Sequence, residues 1–315
     1  MASAKSTGAL NDLGKSLIIV NPVAQSGTGS RNGRIAFNKL RDVYRQNVEL
    51  IYTRAENDAK HIATKCSKFD SVIAIGGDGV IHEVVNGLMQ IPKRIRPKFG
   101  AIPVGSGNDF ARTLGMSFKA ENAVDQLMIA DVQMCDIGQV NSDFFTETLS
   151  FGLDAGIALG TVDLRKETNE KGLKLYFKSG VNEIKNNFHH YEFKLELDEE
   201  KYEDECVIIA FQNGPTYGGG FKICPKARAT DGKISICMAA GKIPVGKALF
   251  MFGCATKGHH VHFKEIKLRE AECAKLEFTG KFKPRCQIDG EEYIADTFNI
   301  KMLHKELSVY APNKL

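Results

Sequence analysis

The sequence predicts an α/β domain with a parallel sheet, followed by a β-rich antiparallel sandwich domain. Three observations carry that expectation. Short β-branched runs alternate with stretches of helical period in the first part of the chain; glycine-bearing loops follow several of those runs; and beyond residue 137 alternating strand-like segments take over while helices thin out. With 315 residues and 43% apolar composition the chain can bury two ordinary cores. The expected division is 1–137, 138–299 and a C-terminal segment, 300–315, that returns to the first domain.

Residues 17–20 (LIIV) read as a buried strand stopped by Asn21-Pro22, because a proline drives the residue before it out of helical geometry. The polar stretch through Gly27, Gly29 and Gly33 reads as a loop. Ile35, Phe37, Leu40, Val43 and Tyr44 then give 32–46 the spacing of a surface helix. Residues 48–52 form the next strand and 57–66 the next helix. The third strand is 71–75, backed by a helix whose apolar face is Ile81, Val84, Val85 and Leu88, and 99–103 is the fourth. In the second part, 144–151, 191–197, 206–211, 234–238, 265–268 and 275–278 read as strands. Helices interrupt them at 173–184 and 245–254, and 300–310 closes the chain as a strand.

Charge and cysteine usage exclude several classes. The formal net charge of +4 comes from 42 basic and 38 acidic residues that are interspersed, so nucleic acid is not called for, while a nucleotide or an anionic membrane surface suits the surplus. The eight cysteines are widely and irregularly spaced with no CxxC, which favours buried reduced thiols in the cytoplasm over disulfides or zinc. No uninterrupted apolar segment is long enough to span a bilayer, and the first sixteen residues lack an apolar targeting core. The expected location is therefore cytoplasmic, with any membrane contact peripheral and at the inner face. A homodimer is left open.

Chemistry concentrates in three loops after strands. Gly76-Gly77-Asp78-Gly79 follows the third strand, where glycines let the backbone approach an anion and helix-start amides point toward it. A carboxylate there would repel bare phosphate, so Asp78 makes sense as a group that holds Mg2+ or orients a donor. Asn21-Pro22-Val23-Ala24-Gln25-Ser26-Gly27-Thr28-Gly29 offers amides, the Ser26 and Thr28 hydroxyls and the Asn21 amide. It lacks GxxxxGK[ST], and neither loop has GxGxxG spacing. Gly105-Ser106-Gly107-Asn108-Asp109 is the third; Asn108 or Asp109 either braces a metal-bound water or caps the following helix. Three loops after parallel strands converge on one rim, the place where open α/β sheets bind nucleotides.

Taken in order, NPVAQSGTG, GGDGVIHEVVNGL, IPVGSGNDFARTLG, NGPTYGGGFKICPKARATDGKI and IDGEE resemble the motifs of the diacylglycerol kinase catalytic-domain family, which includes soluble bacterial lipid kinases and has ceramide and sphingosine kinases as relatives. The resemblance runs from about residue 16 to 312. It implies an ATP-dependent, Mg2+-using kinase of a lipid hydroxyl, with diacylglycerol converted to phosphatidic acid. It places Asn21, Ser26 and Gly27 in the first nucleotide loop, Gly76, Gly77, Asp78 and Gly79 in the signature loop, and Gly105, Ser106, Asn108 and Asp109 in the third. By the same resemblance Asp289 is the general base, Glu291 its support, Asp78 and Asp109 arrange Mg2+, and Asp231 helps bind a structural Mg2+.

The chain departs from that family where GGDGT becomes GGDGV. Val80 has no hydroxyl, which keeps a catalytically silent lipid- or nucleotide-binding protein as an alternative, beside a kinase of another lipid or a small soluble alcohol. Ser106 replaces the usual threonine and keeps a hydroxyl. Extra residues separate Pro22 from Ser26. Glu83 reads either as a site residue or as a lysine partner, His82 as a helix-surface residue, Asn86 as a helix end or an aid to the rim, and Arg112 as a phosphate ligand or a structural pair. His259, His260 and His262 lack the nearby ligands a zinc site needs.

Overall fold

The computed structural model describes residues 10–168 and 172–315; the side chains of Gln25, Ser26, Val162, Asp163, Arg165 and Lys166 lie outside the described set. The first lobe contains β1 (Ser16–Val20), α1 (Ala24–Asn38), β2 (Val48–Tyr52), α2 (Asp58–Ala63), β3 (Ser71–Gly76), α3 (Asp78–Met89), β4 (Lys98–Pro103), α4 (Asp109–Thr113) and α5 (Ala120–Ile129). Its strands run parallel in the order β2-β1-β3-β4. Uninterrupted burial of β1 and β3 explains why both read as continuous apolar runs.

The chain then crosses through β5 (Asp131–Val140) into β6 (Asp143–Phe145), β7 (Thr148–Gly152), α6 (Leu153–Glu167), α7 (Gly172–Asn186), β8 (Tyr191–Leu197), β9 (Glu200–Gln212), β10 (Ile234–Ala240), α8 (Val245–Ala255), β11 (Ile266–Ala271), β12 (Cys273–Phe278), β13 (Cys286–Ile288), β14 (Glu291–Glu292) and β15 (Thr297–Ala311). The second lobe is antiparallel: β13-β7-β9-β8-β12 leads to β15, with β10 and β11 off β9. The chain is thus a parallel α/β lobe joined to an antiparallel β-rich lobe, as the sequence pattern predicts.

β15 and β5 link the two cores. The first half of β15 pairs with β12 and buries Phe298 and Ile300 in the second core, while Leu307, Val309 and Tyr310 belong to the first and Val309 meets Phe99 of β4. Between them the register against β5 slips between Leu303 and Leu307, and Lys305 adopts φ +50. Asp136, fully buried, holds this bulge: Oδ1 accepts from the Lys305 amide at 2.6 Å and from His304 Nδ1 at 2.9 Å, and Oδ2 from the Gly232 amide at 2.6 Å.

Several elements differ from the sequence expectation for identifiable reasons. The first glycine-bearing loop is mostly helix, since α1 begins at Ala24 and runs to Asn38 before a π-helical turn at Lys39–Val43. Gly29 and Gly33 serve close approach instead of loop geometry, whereas Gly27 takes a positive φ of +95 with open space beside it. A Cβ on Gly29 would fall 2.0 Å from the Asn21 carbonyl, and one on Gly33 2.9 Å from Val20 Cγ2. The strand expected at 144–151 is broken between β6 and β7, because the amides there turn to a carboxylate. Helix α6 has no counterpart in the sequence reading; it follows β7 directly at Gly152 and is only weakly amphipathic.

Gly87 of α3 packs against α2 so closely that a Cβ would sit 2.4 Å from the Lys60 carbonyl oxygen and 2.6 Å from Ala63 Cβ. Gly87→Val brings little compensating helix propensity, so it is expected to cost about 1–3 kcal/mol by overpacking and to lower the midpoint of thermal unfolding. An unchanged midpoint contradicts this packing.

Candidate functional site

The carboxyl ends of β3 and β4 meet glycine on glycine. A Cβ on Gly105 would stand 2.4 Å from the Gly77 Cα, so neither loop tolerates a side chain at the contact. Asp78 ties the loops further: Oδ2 accepts from the Asn108 amide and Oδ1 from the Asp109 amide, each at 2.7 Å. Asn108 takes the left-handed conformation, φ +56, and its Nδ2 donates to the Gly105 carbonyl at 2.9 Å. Neither Asn108 nor Asp109 caps α4 through its side chain. Gly107 faces both acids, with Asp78 Oδ2, Asp109 Oδ2 and the Tyr176 hydroxyl all within 3.5 Å of where its Cβ would be.

Asp109 is buried and accepts from the Gly219 amide at 3.0 and 3.1 Å. Arg112 Nε lies 3.9 Å from Asp109, and Nη2 donates to the Gly107 and Gly219 carbonyls. Arg112 therefore staples the third loop to the glycine loop of the second lobe. Ser106 stands half-buried between Gly105 and Gly107.

From the second lobe, the turn Ile288-Asp289-Gly290-Glu291 reaches this rim. Asp289 has φ +48 and Gly290 φ +96, a left-handed pair that presents the acid. A Cβ on Gly79 would meet Glu291 Oε1 at 2.8 Å. Asp289 Oδ2 accepts from the Thr146 amide at 2.7 Å, the Thr146 hydroxyl at 3.0 Å and His82 Nδ1 at 3.0 Å; Oδ1 accepts from the amides of Glu147 at 2.9 Å and Thr148 at 3.0 Å. His82 is thus no surface residue, since α3 aims it across the lobes, and its side chain is 14% exposed. The sequence signal for this pairing was available only as a histidine one turn into a helix that starts at the signature loop.

The other expected residues have these surroundings. Glu83 Oε2 accepts from the Ala59 amide at the start of α2, so it neither faces the rim nor pairs with a lysine. Asn86, buried, bonds both the amide and the carbonyl of Phe144 and clamps α3 to β6. Asn21 Oδ1 accepts from the Val23 amide at 3.1 Å and its Cβ lies close to Gly76, at the start of α1. Gly27 is inside that helix at φ +95, and the Ser26 side chain lies outside the described residues. Val80 is buried in the first core against Gly76. Asp231 occupies an exposed turn whose carboxylate accepts from the Lys233 amide at 3.0 Å.

Asp78, Asp109, Glu147 and Asp289 line one polar pocket together with Thr146, Thr148, Tyr176 and Gly218. Their charge states diverge. Burial pushes the Asp78 carboxyl up against the pull of the Asp109 and Asn108 amides. Burial, then the charge of Asp78, pushes Asp109 up to about 8. Burial holds Glu147 well above the usual carboxylate range, with the charge of Asp109 adding to it. Glu147 Oε1 accepts from Thr113 Oγ1 at 3.0 Å, whereas its Oε2 has no partner. Asp289 goes the other way: burial raises it, but His82 and the Thr146 and Thr148 amides pull harder and leave it below its ordinary value. One well-compensated carboxylate therefore faces three under-compensated ones.

A second cavity adjoins the first and shares Ala158, Tyr176, Tyr217 and Gly218 with it. Its wall is otherwise almost wholly apolar, built by α6, α7, α8 and the inner faces of β9 and β10, with Leu153, Ile157, Val207, Met251 and Phe252 among the lining residues. Its interior is narrow, about 70 Å3 in volume.

Residues 15–140 match the model of the diacylglycerol kinase catalytic domain, and residues 147–311 match that of the YegS C-terminal NAD kinase beta sandwich-like domain. A diacylglycerol kinase of Bacillus subtilis (strain 168) is 30% identical over 243 residues, covering 76% of this chain and 77% of that protein. One of Mycobacterium tuberculosis (strain ATCC 25618 / H37Rv) is 27% identical over 277 residues, 86% of this chain and 87% of that one. A crystal structure of a diacylglycerol kinase from Bacillus anthracis str. Sterne superposes with a TM-score of 0.77 at 24% identity, covering 94% of this chain and 96% of that chain, a likeness of fold.

The raised carboxyls make a stability prediction whose sign is fixed. Asp109 binds a proton more tightly folded than unfolded, so the stability it contributes is present below its unfolded pKa of about 4 and is lost as pH rises toward about 8. Asp109→Asn is therefore expected to raise the unfolding midpoint by a few degrees at pH 8 and to change it less at pH 5. Thermal melts at the two pH values check this; a midpoint lowered more at pH 8 than at pH 5 contradicts it.

Proposed function

The chain belongs to the diacylglycerol kinase catalytic-domain family and is a kinase, and from that premise we propose that it transfers the γ-phosphoryl group of ATP to the hydroxyl of a lipid. The relatives' name points to diacylglycerol, giving phosphatidic acid. The observation that carries the lipid reading is the apolar cavity sharing a wall with the pocket of four carboxyl groups. An amphiphile with its hydroxyl in the polar pocket has an apolar-lined space beside it for the start of its hydrocarbon. A small soluble alcohol needs no such space.

Among the described residues no group of three or more His, Cys, Asp and Glu is clustered as a ready-made metal site. Mg2+ does not require one, since it keeps waters and substrate phosphates and takes only one or two carboxylates. Asp78 and Asp109 fit that demand: both are buried carboxyls raised first by burial, Asp78 further by the charge of Asp289 and Asp109 by that of Asp78, and a divalent cation relieves them. Bound there, Mg2+ would neutralise phosphate charge. The exposed Asp231 turn offers no comparable pair.

Asp289 stays ionised and serves as the acceptor for the lipid hydroxyl. Its oxygens are nearly saturated, but the Thr146 hydroxyl can rotate off Oδ2 and open a lone pair for the substrate. A lowered pKa makes Asp289 a weak base. That suffices where the transition state is loose and positioning outweighs proton abstraction. His82 and the three amides fix the carboxylate's direction. Gly76, Gly77, Gly79 and Gly105 bring backbone amides of the two loops to the rim, where they can meet phosphate oxygens, and Asn21, Ser106 and Asn108 border the same rim. Among the described residues no helix is long and apolar enough to cross a membrane. Phe250, 64% exposed, and Val245 on α8 supply a peripheral contact with a lipid surface.

Purified protein incubated with Mg-ATP and separate mixed-micelle panels of diacylglycerol, monoacylglycerol, ceramide and long-chain amino alcohol is expected to label at least one lipid. Asp289→Asn should lower that rate about 10²–10⁴-fold while nucleotide binding persists. Nucleotide binding with no lipid labelled, or an Asp289→Asn variant of undiminished rate, contradicts the proposal.

A further inference from the structure

We propose that the apolar cavity selects a lipid carrying a second O–H or N–H group, which seats against His260 and Asp154 while the reacting hydroxyl lies in the polar pocket. This rests on the lipid-kinase reading and narrows its acceptor. Both side chains line the cavity, both are more than nine-tenths buried, and each holds an atom without a hydrogen-bond partner, His260 Nδ1 and Asp154 Oδ2. Unpaired polar atoms in an apolar wall are costly and rare, and a bound partner relieves them.

The chemistry of His260 fixes what that partner must offer. Its Nε2 lies 3.1 Å from the carbonyl of Ile223. A carbonyl only accepts, so Nε2 carries the proton, and burial disfavours a second one. Nδ1 is therefore a bare acceptor that needs an O–H or N–H from the ligand. Asp154 hydrogen-bonds the Ser150 side chain, and burial pushes it up to about 7, so its open oxygen can accept from such a group or donate to it.

Position ties Asp154 to the reaction. Asp154 and Ala158 are four residues apart on α6, and residues at that spacing have Cβ atoms about 5–6 Å apart. Ala158 lines both cavities. A group bound at Asp154 thus sits a few bonds from one in the polar pocket. Diacylglycerol carries only ester oxygens beyond its reacting hydroxyl, and these accept, leaving Nδ1 unpaired. A single-chain lipid with a neighbouring hydroxyl or amine supplies the missing donor.

The test uses 1-O-octylglycerol and its 2-O-methyl ether, which share chain and primary hydroxyl and differ in one O–H. Binding to the full chain is measured calorimetrically below micellar concentrations and without nucleotide. Octylglycerol is expected to bind about tenfold more tightly, and His260→Phe or Asp154→Leu to shrink that ratio toward one; His260→Gln, which keeps a carbonyl acceptor, should retain part of it. Equal binding of the two probes to the unaltered protein overturns the inference, as does a ratio unchanged in the variants that fold by circular dichroism. Labelling with Mg-ATP is read separately. Probes phosphorylated without discrimination sink this inference alone, whereas discrimination without phosphorylation sinks the kinase reading alone.

Discussion

A buried carboxylate needs matching donors, and the one acid of the polar pocket that is fully supplied with them, Asp289, takes them from both lobes. Three consecutive amides and the hydroxyl of Thr146 come from the second lobe, and His82 from the first. Much of the local architecture follows from satisfying those two oxygens. The strand that would run unbroken from Asp143 to Gly152 splits at Thr146 and Glu147 so that its amides can turn toward the acid. The left-handed Asp289-Gly290 pair exists to present it, and α3 contributes an imidazole where its first turn would otherwise face water.

The other acids in the pocket are held differently. Asp78 and Asp109 receive amides but sit near one another, and Glu147 keeps an oxygen unpaired. Such an arrangement weakens the fold at neutral pH and readies the pocket for a cation, a trade that functional sites commonly make. Glycine-on-glycine contact between the signature and third loops serves the same end, because it leaves backbone in place of side chains along the rim.

Much of this was legible in the chain. Buried parallel strands announce themselves as continuous apolar runs, and Gly-Gly-Asp-Gly marks the strand-to-helix turn that carries Asp78. What escaped notice has a common physical cause: contacts between distant segments leave no local trace. Gly29 and Gly33 look like loop residues until Val20 and the Asn21 carbonyl are seen pressed against them. His82 looks like a polar surface residue until Asp289 arrives from 207 positions away. Glu147 and Asp154 sit in apolar, strand-like surroundings where burial, and hence their raised pKa values, depends on elements that pack over them later in the chain. Helix α6, threaded with Gly156 and Gly160, carries too weak an amphipathic signal to stand out.

The most direct test of the central claim is a double-mutant cycle on kcat/KM with His82→Ala, Asp289→Asn and the pair. If His82 acts by holding Asp289, the double variant loses little beyond the worse single one, a coupling of about 0.5–3 kcal/mol. If the two losses simply multiply, the imidazole and the carboxylate do not work as one unit across the lobes, and the account of this site is wrong.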